Sequence, residues 1–211
     1  MTPADSSARM RALCARAPVI PVLVIEDAGL ARPLAEALVA GGLPVLEVTL
    51  RTPIALEAIR AMAEVPGAEV GAGTVLTAGD LAAARQTGAG FAVSPGATPA
   101  LLDAAEAEGL PLLPGAATAS EAMALLARGH DVAKFFPAAA MGGAAALAAL
   151  GGPLPQVAWC PTGGISPATA PDFLALPNVL CVGGSWVAPR AMLEARDWAG
   201  IEERARAAAA L

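Results

Sequence analysis

Lys134 is the only lysine among 211 residues. It lies in Asp131-Val-Ala-Lys-Phe-Phe-Pro137, an apolar run with the length and composition of a β-strand. Apolar surroundings deprive an ammonium group of hydration and favour the neutral amine, which can attack a carbonyl carbon. The alternative is that the chain uses arginine in place of lysine almost throughout, and that Lys134 is a remaining lysine without a catalytic role. Its ammonium group would then reach solvent from the end of a strand. The segment alone leaves both interpretations open.

A second group of polar side chains lies in Val45-Leu-Glu-Val-Thr-Leu-Arg51. Side chains alternate along a strand, so Glu47, Thr49 and Arg51 share one face. A buried carboxylate is costly unless it is paired or used in chemistry. Glu47 is therefore a candidate general acid/base, with Arg51 binding a substrate carboxylate. The alternative is a Glu47–Arg51 ion pair that only fills the interior of the fold.

Three glycine-rich segments stand where strands are expected to end. Gly71-Ala-Gly-Thr74 lacks bulk, so a substrate could approach its backbone, but it is not a dinucleotide-binding motif. Thr162-Gly-Gly-Ile165 and Gly183-Gly-Ser-Trp186 follow the predicted seventh and eighth strands. Loops in those positions often bind phosphate through backbone N–H groups, which favours a phosphate site over two ordinary turns.

These segments are positioned by a regular alternation of apolar strands with Ala/Leu-rich amphipathic helices. The pattern predicts eight strands, at residues 19–25, 45–50, 69–75, 90–94, 110–114, 132–136, 156–160 and 179–182. Repeated βα units indicate a parallel sheet, and eight units in this length favour a (β/α)8 TIM barrel with a short N-terminal helix. Residues 1–211 are expected to form a single domain, and an open doubly wound sheet is the alternative fold.

Composition limits the function classes. A net charge of −6 and only three Trp, four Phe and no Tyr argue against nucleic-acid binding. Gly and Pro interrupt the longest uncharged stretch, residues 135–171, so we expect no membrane span. Cys14, Cys160 and Cys181 show no metal-ligand spacing, which suits reduced thiols in a cytoplasmic protein. The single histidine, His130, follows Gly129 and is expected at the surface.

Taken in order, seven segments make the chain resemble the KDPG/KHG aldolase family over nearly its whole length. Each segment is weak by itself, but the ordered set is specific. The segments are Ala37-Leu-Val-Ala-Gly-Gly42, Val45-Leu-Glu-Val-Thr-Leu-Arg-Thr52, Val70-Gly-Ala-Gly-Thr-Val-Leu76, Val93-Ser-Pro-Gly96, Lys134-Phe-Phe-Pro-Ala138, Cys160-Pro-Thr-Gly-Gly-Ile-Ser166 and Gly183-Gly-Ser-Trp186.

The resemblance implies a (β/α)8 barrel that forms a homotrimer and uses neither metal nor cofactor. It implies a Schiff base on Lys134 and proton transfer by Glu47. The substrate-binding residues that it implies are Arg51 and Thr74 for the carboxylate, Pro95 and Phe136 for the pyruvyl pocket, and Thr162, Gly163, Gly164, Gly184 and Ser185 for the phosphorylated end. One departure is that Ala138-Ala-Ala-Met141 stands where the family often carries a Glu and an Asn.

The function expected from the resemblance is cleavage of 2-keto-3-deoxy-6-phosphogluconate to pyruvate and glyceraldehyde 3-phosphate. Cleavage of 4-hydroxy-2-oxoglutarate or of the galactonate epimer is a related alternative. A carboxylate-based sugar-phosphate isomerase or epimerase is another, but it needs a second acid/base opposite Glu47. A non-catalytic sugar-phosphate-binding protein would have no need of both Glu47 and Lys134.

Overall fold

The computed structural model describes residues 1–211 and consists of short parallel strands separated by helices. The apolar, β-branched runs predicted as strands form most of them. The strands are β1 (Val19–Leu23), β2 (Val45–Thr49), β3 (Glu69–Gly73), β4 (Phe91–Val93), β5 (Leu112–Leu113), β6 (Gly115–Ala116), β7 (Val132–Phe135), β8 (Ala158–Pro161) and β9 (Val182–Gly184).

Ten α-helices and one 3-10 turn (Ala28–Leu30) connect and flank these strands. Threonine side chains cap several helices, and Thr77 and Thr118 each complete a capping box with an acidic residue three positions later. The helices are α1 (Pro3–Cys14), α2 (Ala31–Ala40), α3 (Ala55–Ala63), α4 (Ala78–Gln86), α5 (Pro99–Glu108), α6 (Ala119–Ala127), α7 (Gly143–Gly151), α8 (Ala170–Leu174), α9 (Arg190–Glu194) and α10 (Trp198–Ala209).

The strands form a curled parallel arrangement of two hydrogen-bonded groups. One group has the order β5-β4-β3-β2-β1-β9, and the other has the order β6-β7-β8. In β2, Glu47 pairs with Val22 on one side and with Gly71 on the other. The α/β class, the parallel pairing and the N-terminal helix are confirmed.

Two strand predictions were wrong in detail. The run at 110–114 forms two short strands on either side of Pro114, because proline has no N–H to donate to a ladder. The last strand is Val182–Gly184 instead of residues 179–182, and Val179 makes only an isolated bridge to Trp159. Gly183 and Gly184 are therefore strand residues, and the loop begins at Ser185.

Apolar residues pack on both faces of the strands. Leu46 and Val48 join the larger core beneath the helices, as their parity predicts. Val45, on the same face as Glu47, belongs to a second cluster with Met10 and Leu13 of α1. The N-terminal helix therefore covers one end of the interior, and the polar residues lie toward the other end.

His130 lies beneath the N-terminal residues, so the surface position expected for it was wrong. Its side chain is buried, and neither ring nitrogen has a hydrogen-bond partner. Met1 and Ser6 line a small cavity with it. Burial lowers the pKa of His130, because the imidazolium would lose its hydration there. None of the helices has both the length and the apolar character that crossing a membrane requires.

Candidate active site

The site centres on an ion pair between Lys134 of β7 and Glu47 of β2. The Lys134 Nζ atom lies 3.0 Å from Glu47 Oε1 and 3.4 Å from Oε2. The two side chains are only 6% and 4% exposed, so the pair is shielded from water. Burying either charge alone would be costly, which makes each group dependent on the other. The strand positions of the two residues predicted this meeting.

Gly73 makes room for the Glu47 carboxylate. A Cβ atom built on Gly73 would lie 2.6 Å from Glu47 Cγ and closer still to Oε1. Real side chains do not tolerate such a contact, so β3 must carry glycine at this position. Gly71-Ala-Gly-Thr74 was expected to let a substrate approach its backbone, whereas Gly73 of this segment makes room for the Glu47 side chain.

Arg51 and Thr74 meet at the open end of the interior. The Arg51 Nε atom donates a hydrogen bond to Thr74 Oγ1 at 3.2 Å. Thr74 has a φ of 59°, a left-handed conformation that is costly for a β-branched residue. Such strain persists only where the surroundings enforce it, and it is concentrated at functional sites. Arg51 is exposed, so its guanidinium can receive an anion.

Phe136 lies close to the amine of Lys134. The Lys134 Nζ atom is 5.4 Å from the centroid of the Phe136 ring, within the range of a cation–π contact. Pro95 follows β4, and its backbone packs so closely on Gly115 of β6 that a Cβ on Gly115 would collide with it. Gly115 pairs with Lys134 in the ladder, so Pro95 lies against the strand next to the one that carries the lysine.

The two glycine segments lie side by side. Thr162 and Gly183 form an isolated parallel β-bridge, and a Cβ on Gly183 would collide with the Thr162 side chain. Gly163 and Gly164 have φ values of 101° and 74°, which other residues adopt at a cost. The N–H groups of Gly164 and Ser185 donate no hydrogen bond within the protein. A Cβ on Gly184 would meet the ring of Trp186, so the end of β9 also depends on glycine.

The segment that departs from the family pattern supports the first glycine turn. The N–H groups of Ala138 and Ala139 donate to the carbonyl oxygens of Thr162 and Gly163, at 2.8 Å and 3.0 Å. A Cβ on Gly164 would lie 2.6 Å from the Ala139 Cβ. The backbone of residues 138–139 therefore fixes the position of this turn.

Among 19 acidic residues, Glu47 is the only one that is buried. The interior therefore contains one carboxylate and one amine in contact, beside a strained threonine and two glycine turns. This arrangement can form a covalent adduct with a carbonyl compound and move one proton. Fold and site together define an α/β enzyme of the aldolase class.

Comparison with known proteins is consistent with that class. The family model described as KDPG and KHG aldolase matches residues 10–204. The chain belongs to the KDPG and KHG aldolase family.

Individual relatives cover most of the chain. The 2-dehydro-3-deoxy-phosphogluconate aldolase of Pseudoalteromonas atlantica is 55% identical, covering 92% of this chain and 90% of the relative. The crystal structure of the Zymomonas mobilis ZM4 2-keto-3-deoxy-6-phosphogluconate aldolase with 3-phosphoglycerate has a TM-score of 0.93 at 53% identity, covering 97% of this chain and 96% of that one. The crystal structure of the KDPG aldolase of Legionella pneumophila contains pyruvate captured as a covalent carbinolamine intermediate. It has a TM-score of 0.92 at 48% identity, covering 94% of this chain and 97% of that one.

Proposed function

We propose that this chain is a class I aldolase that cleaves 2-keto-3-deoxy-6-phosphogluconate to pyruvate and glyceraldehyde 3-phosphate through a Schiff base on Lys134. The observation that carries the proposal is the buried contact of 3.0 Å between Lys134 Nζ and Glu47 Oε1. A relative holds pyruvate as a covalent carbinolamine, which fits an amine nucleophile in this family.

The first stage joins substrate to enzyme. Transfer of a proton from the Lys134 ammonium to the Glu47 carboxylate leaves a neutral amine and a neutral acid, a change that a buried pair tolerates because no net charge is created. The amine attacks the C2 ketone and forms a carbinolamine. Glu47 then returns the proton to the carbinolamine hydroxyl group, which leaves as water. The product is an iminium ion, whose positive nitrogen withdraws electrons from C3, and Glu47 is again a carboxylate.

The second stage breaks the C3–C4 bond. Glu47, directly or through a water molecule, takes the proton of the C4 hydroxyl group. The C3–C4 electron pair moves toward the iminium nitrogen, so an enamine forms and glyceraldehyde 3-phosphate leaves. Glu47 returns its proton to C3. Hydrolysis of the resulting iminium ion releases pyruvate and restores the Lys134 amine.

The polar residues at the open end bind the two anionic ends of the substrate. Arg51 and Thr74, joined by their 3.2 Å hydrogen bond, are proposed to bind the carboxylate. Pro95 and Phe136 enclose the pyruvyl carbons beside Lys134. The unpaired N–H groups of Gly164 and Ser185, together with Thr162, Gly163 and Gly184, are proposed to hold the phosphate.

We also propose that residues 1–211 form a single domain whose strands close into a full (β/α)8 barrel. Closure is supported by three observations: β5 continues directly into β6, isolated bridges join Trp159 to Val179 and Thr162 to Gly183 near β8 and β9, and β9 pairs with β1. The contact of Lys134 in one group of strands with Glu47 in the other also supports closure.

A cytoplasmic homotrimer is proposed for the assembled enzyme. Three free cysteines suit a reducing compartment. The trimer rests on membership of the family, and native mass spectrometry tests it by the number of chains in the assembly.

Of the alternatives, the carboxylate-based isomerase or epimerase has the least support. It requires a second acid/base opposite Glu47, and no other carboxylate is buried. The galactonate epimer and 4-hydroxy-2-oxoglutarate place the same ketone on Lys134 and differ only at and beyond C4. They are therefore competing substrates for the same mechanism.

Substrate choice is tested by following pyruvate release from the two epimeric phosphosugar acids and from 4-hydroxy-2-oxoglutarate. The proposal predicts the highest kcat/KM for the gluconate compound. A higher value for the galactonate epimer would move the assignment to that substrate. Release of pyruvate from none of the three would overturn the aldolase assignment.

A further inference from the structure

All three cysteines of the chain meet at the covered end of the interior. Cys14 is the last residue of α1, Cys160 lies in β8, and Cys181 directly precedes β9. Their sulfur atoms all lie within 4.8 Å of one another, and all three residues are buried. We call these three residues the thiol cluster. The proposed aldolase chemistry uses none of them.

The surroundings of the thiol cluster are mostly apolar, although Cys160 pairs with Lys134 in the ladder between β7 and β8. Met10, Leu13, Ile20 and Val45 belong to the same packed group, and no carboxylate or imidazole joins the sulfur atoms there. An atom or ion bound here would have sulfur ligands only, which favours soft, thiophilic elements. It would also need to form an uncharged complex, because an isolated charge in an apolar core is costly.

The net charge of the complex and the number of ligands together limit which element can bind. Zn2+ bound by three thiolates would leave a net negative charge and would lack the fourth ligand that structural zinc sites have. A monovalent soft ion would leave a larger negative charge. Trivalent arsenic takes three thiolates, and the product is neutral and three-coordinate.

We propose that Cys14, Cys160 and Cys181 form a binding site for trivalent arsenic, supplied as arsenous acid. Three As–O bonds break and three As–S bonds form, and each thiol proton leaves with a hydroxide group as water. No oxidation state changes, so the reaction needs no oxidant or reductant. Rotation of three side chains whose sulfurs are within 4.8 Å can bring them onto one central atom.

Arsenous acid must reach the thiol cluster from solvent, because all three cysteines are buried. Local opening of the terminal helix α1 would admit the small uncharged acid.

The test uses the full chain in a reductant that contains no thiol, titrated with arsenite. Native mass spectrometry should show one arsenic per chain. The mass gain should equal one arsenic atom minus the three hydrogen atoms that the thiol groups lose. X-ray absorption at the arsenic edge should show three sulfur neighbours and no oxygen. Because the chain has no other cysteine, the adduct can form only on the thiol cluster.

The matched variants are C14A, C160A and C181A, each checked for folding by circular dichroism and thermal transition. Each should bind arsenite about tenfold more weakly or worse, since one As–S bond is lost, and should retain one oxygen ligand on arsenic. The triple variant should bind none. Arsenite binding only in denaturant, equal affinity in the single variants, or tighter binding of Zn2+ by the same three sulfurs would overturn the proposal.

Discussion

Glu47 and Lys134 are separated by 87 positions in the chain, yet their side chains meet at 3.0 Å in the interior. One lies in β2 and the other in β7, which belong to different groups of hydrogen-bonded strands. The pair therefore forms only when the sheet curls on itself. Folding creates the contact that the proposed chemistry requires.

The Glu47→Gln substitution separates formation of the Schiff base from bond cleavage. The glutamine amide oxygen can still accept a hydrogen bond from Lys134 but cannot take a proton. We expect a loss in kcat of about 10²- to 10⁴-fold for cleavage, as is usual when a positioned acid/base is removed. Pyruvate should still be trapped on Lys134 by borohydride, although more slowly, because water must replace Glu47 as the acceptor of the Lys134 proton. Turnover close to wild type in the folded variant would show that Glu47 is not the acid/base.

Gly73→Ala tests whether the position of Glu47 matters as well as its presence. The new methyl group would collide with the Glu47 side chain and push the carboxylate from its place. A displacement of about 1 Å can reduce catalysis by roughly 10²-fold, so we expect a loss of that order in kcat. Gly79→Ala in α4 is the control, because a Cβ there lies 3.6 Å from the nearest atom. Equal activity of the two variants would contradict the positioning argument.

Gly164→Ala tests the proposed phosphate site. The Cβ would lie 2.6 Å from the Ala139 Cβ, at a φ of 74°, so the turn must move. Loss of one charge-assisted hydrogen bond of ~1.5–3 kcal/mol would weaken binding of the phosphorylated substrate roughly 10- to 100-fold. Trapping of pyruvate, which has no phosphate, should change little. A similar loss for both compounds would indicate general distortion of the site.

His130→Leu tests the pH dependence that the buried histidine imposes on stability. Burial lowers the pKa of His130 in the folded chain, so below about pH 6.5 the unfolded chain binds a proton that the folded chain does not. The free energy of unfolding of the wild type should therefore decrease as pH falls from about 7.5 to about 5.5. Urea unfolding should show a smaller decrease for the variant. An identical decrease in both proteins would show that groups other than His130 cause the pH dependence of stability.

Strand parity was sufficient to predict the central pair, since the pair depends on local alternation within recognisable strands. The meeting of Arg51 with Thr74 was expected only from the family resemblance. The last strand was misplaced because Gly183 and Gly184 have the composition of a turn. Their absence of side chains instead makes room for Thr162 beside Gly183 and for the Trp186 ring beside Gly184. Sequence alone does not distinguish these two uses of glycine.

Two other features formed by distant segments were not predicted, namely the thiol cluster and the burial of His130. The thiol cluster joins residues 14, 160 and 181, whose spacing matches no ligand motif, because α1 brings the first of them to two strands at the far end of the chain. His130 was expected in solvent because it follows Gly129. Its side chain is buried, and the cavity beside it is lined by Met1 and Ser6 of the N-terminus together with Ala105, Glu106 and Leu110.

Borohydride trapping of pyruvate tests the central claim most directly, because the chain contains one lysine. The account predicts one reduced pyruvyl group per chain on the peptide that contains Lys134, which peptide mapping separates from the N-terminal amine. Lys134→Arg should abolish both trapping and cleavage, since a guanidinium stays protonated and cannot attack a ketone. Undiminished cleavage by a folded Lys134→Arg variant, or trapping only at the N-terminus of an active enzyme, would contradict the Schiff-base mechanism.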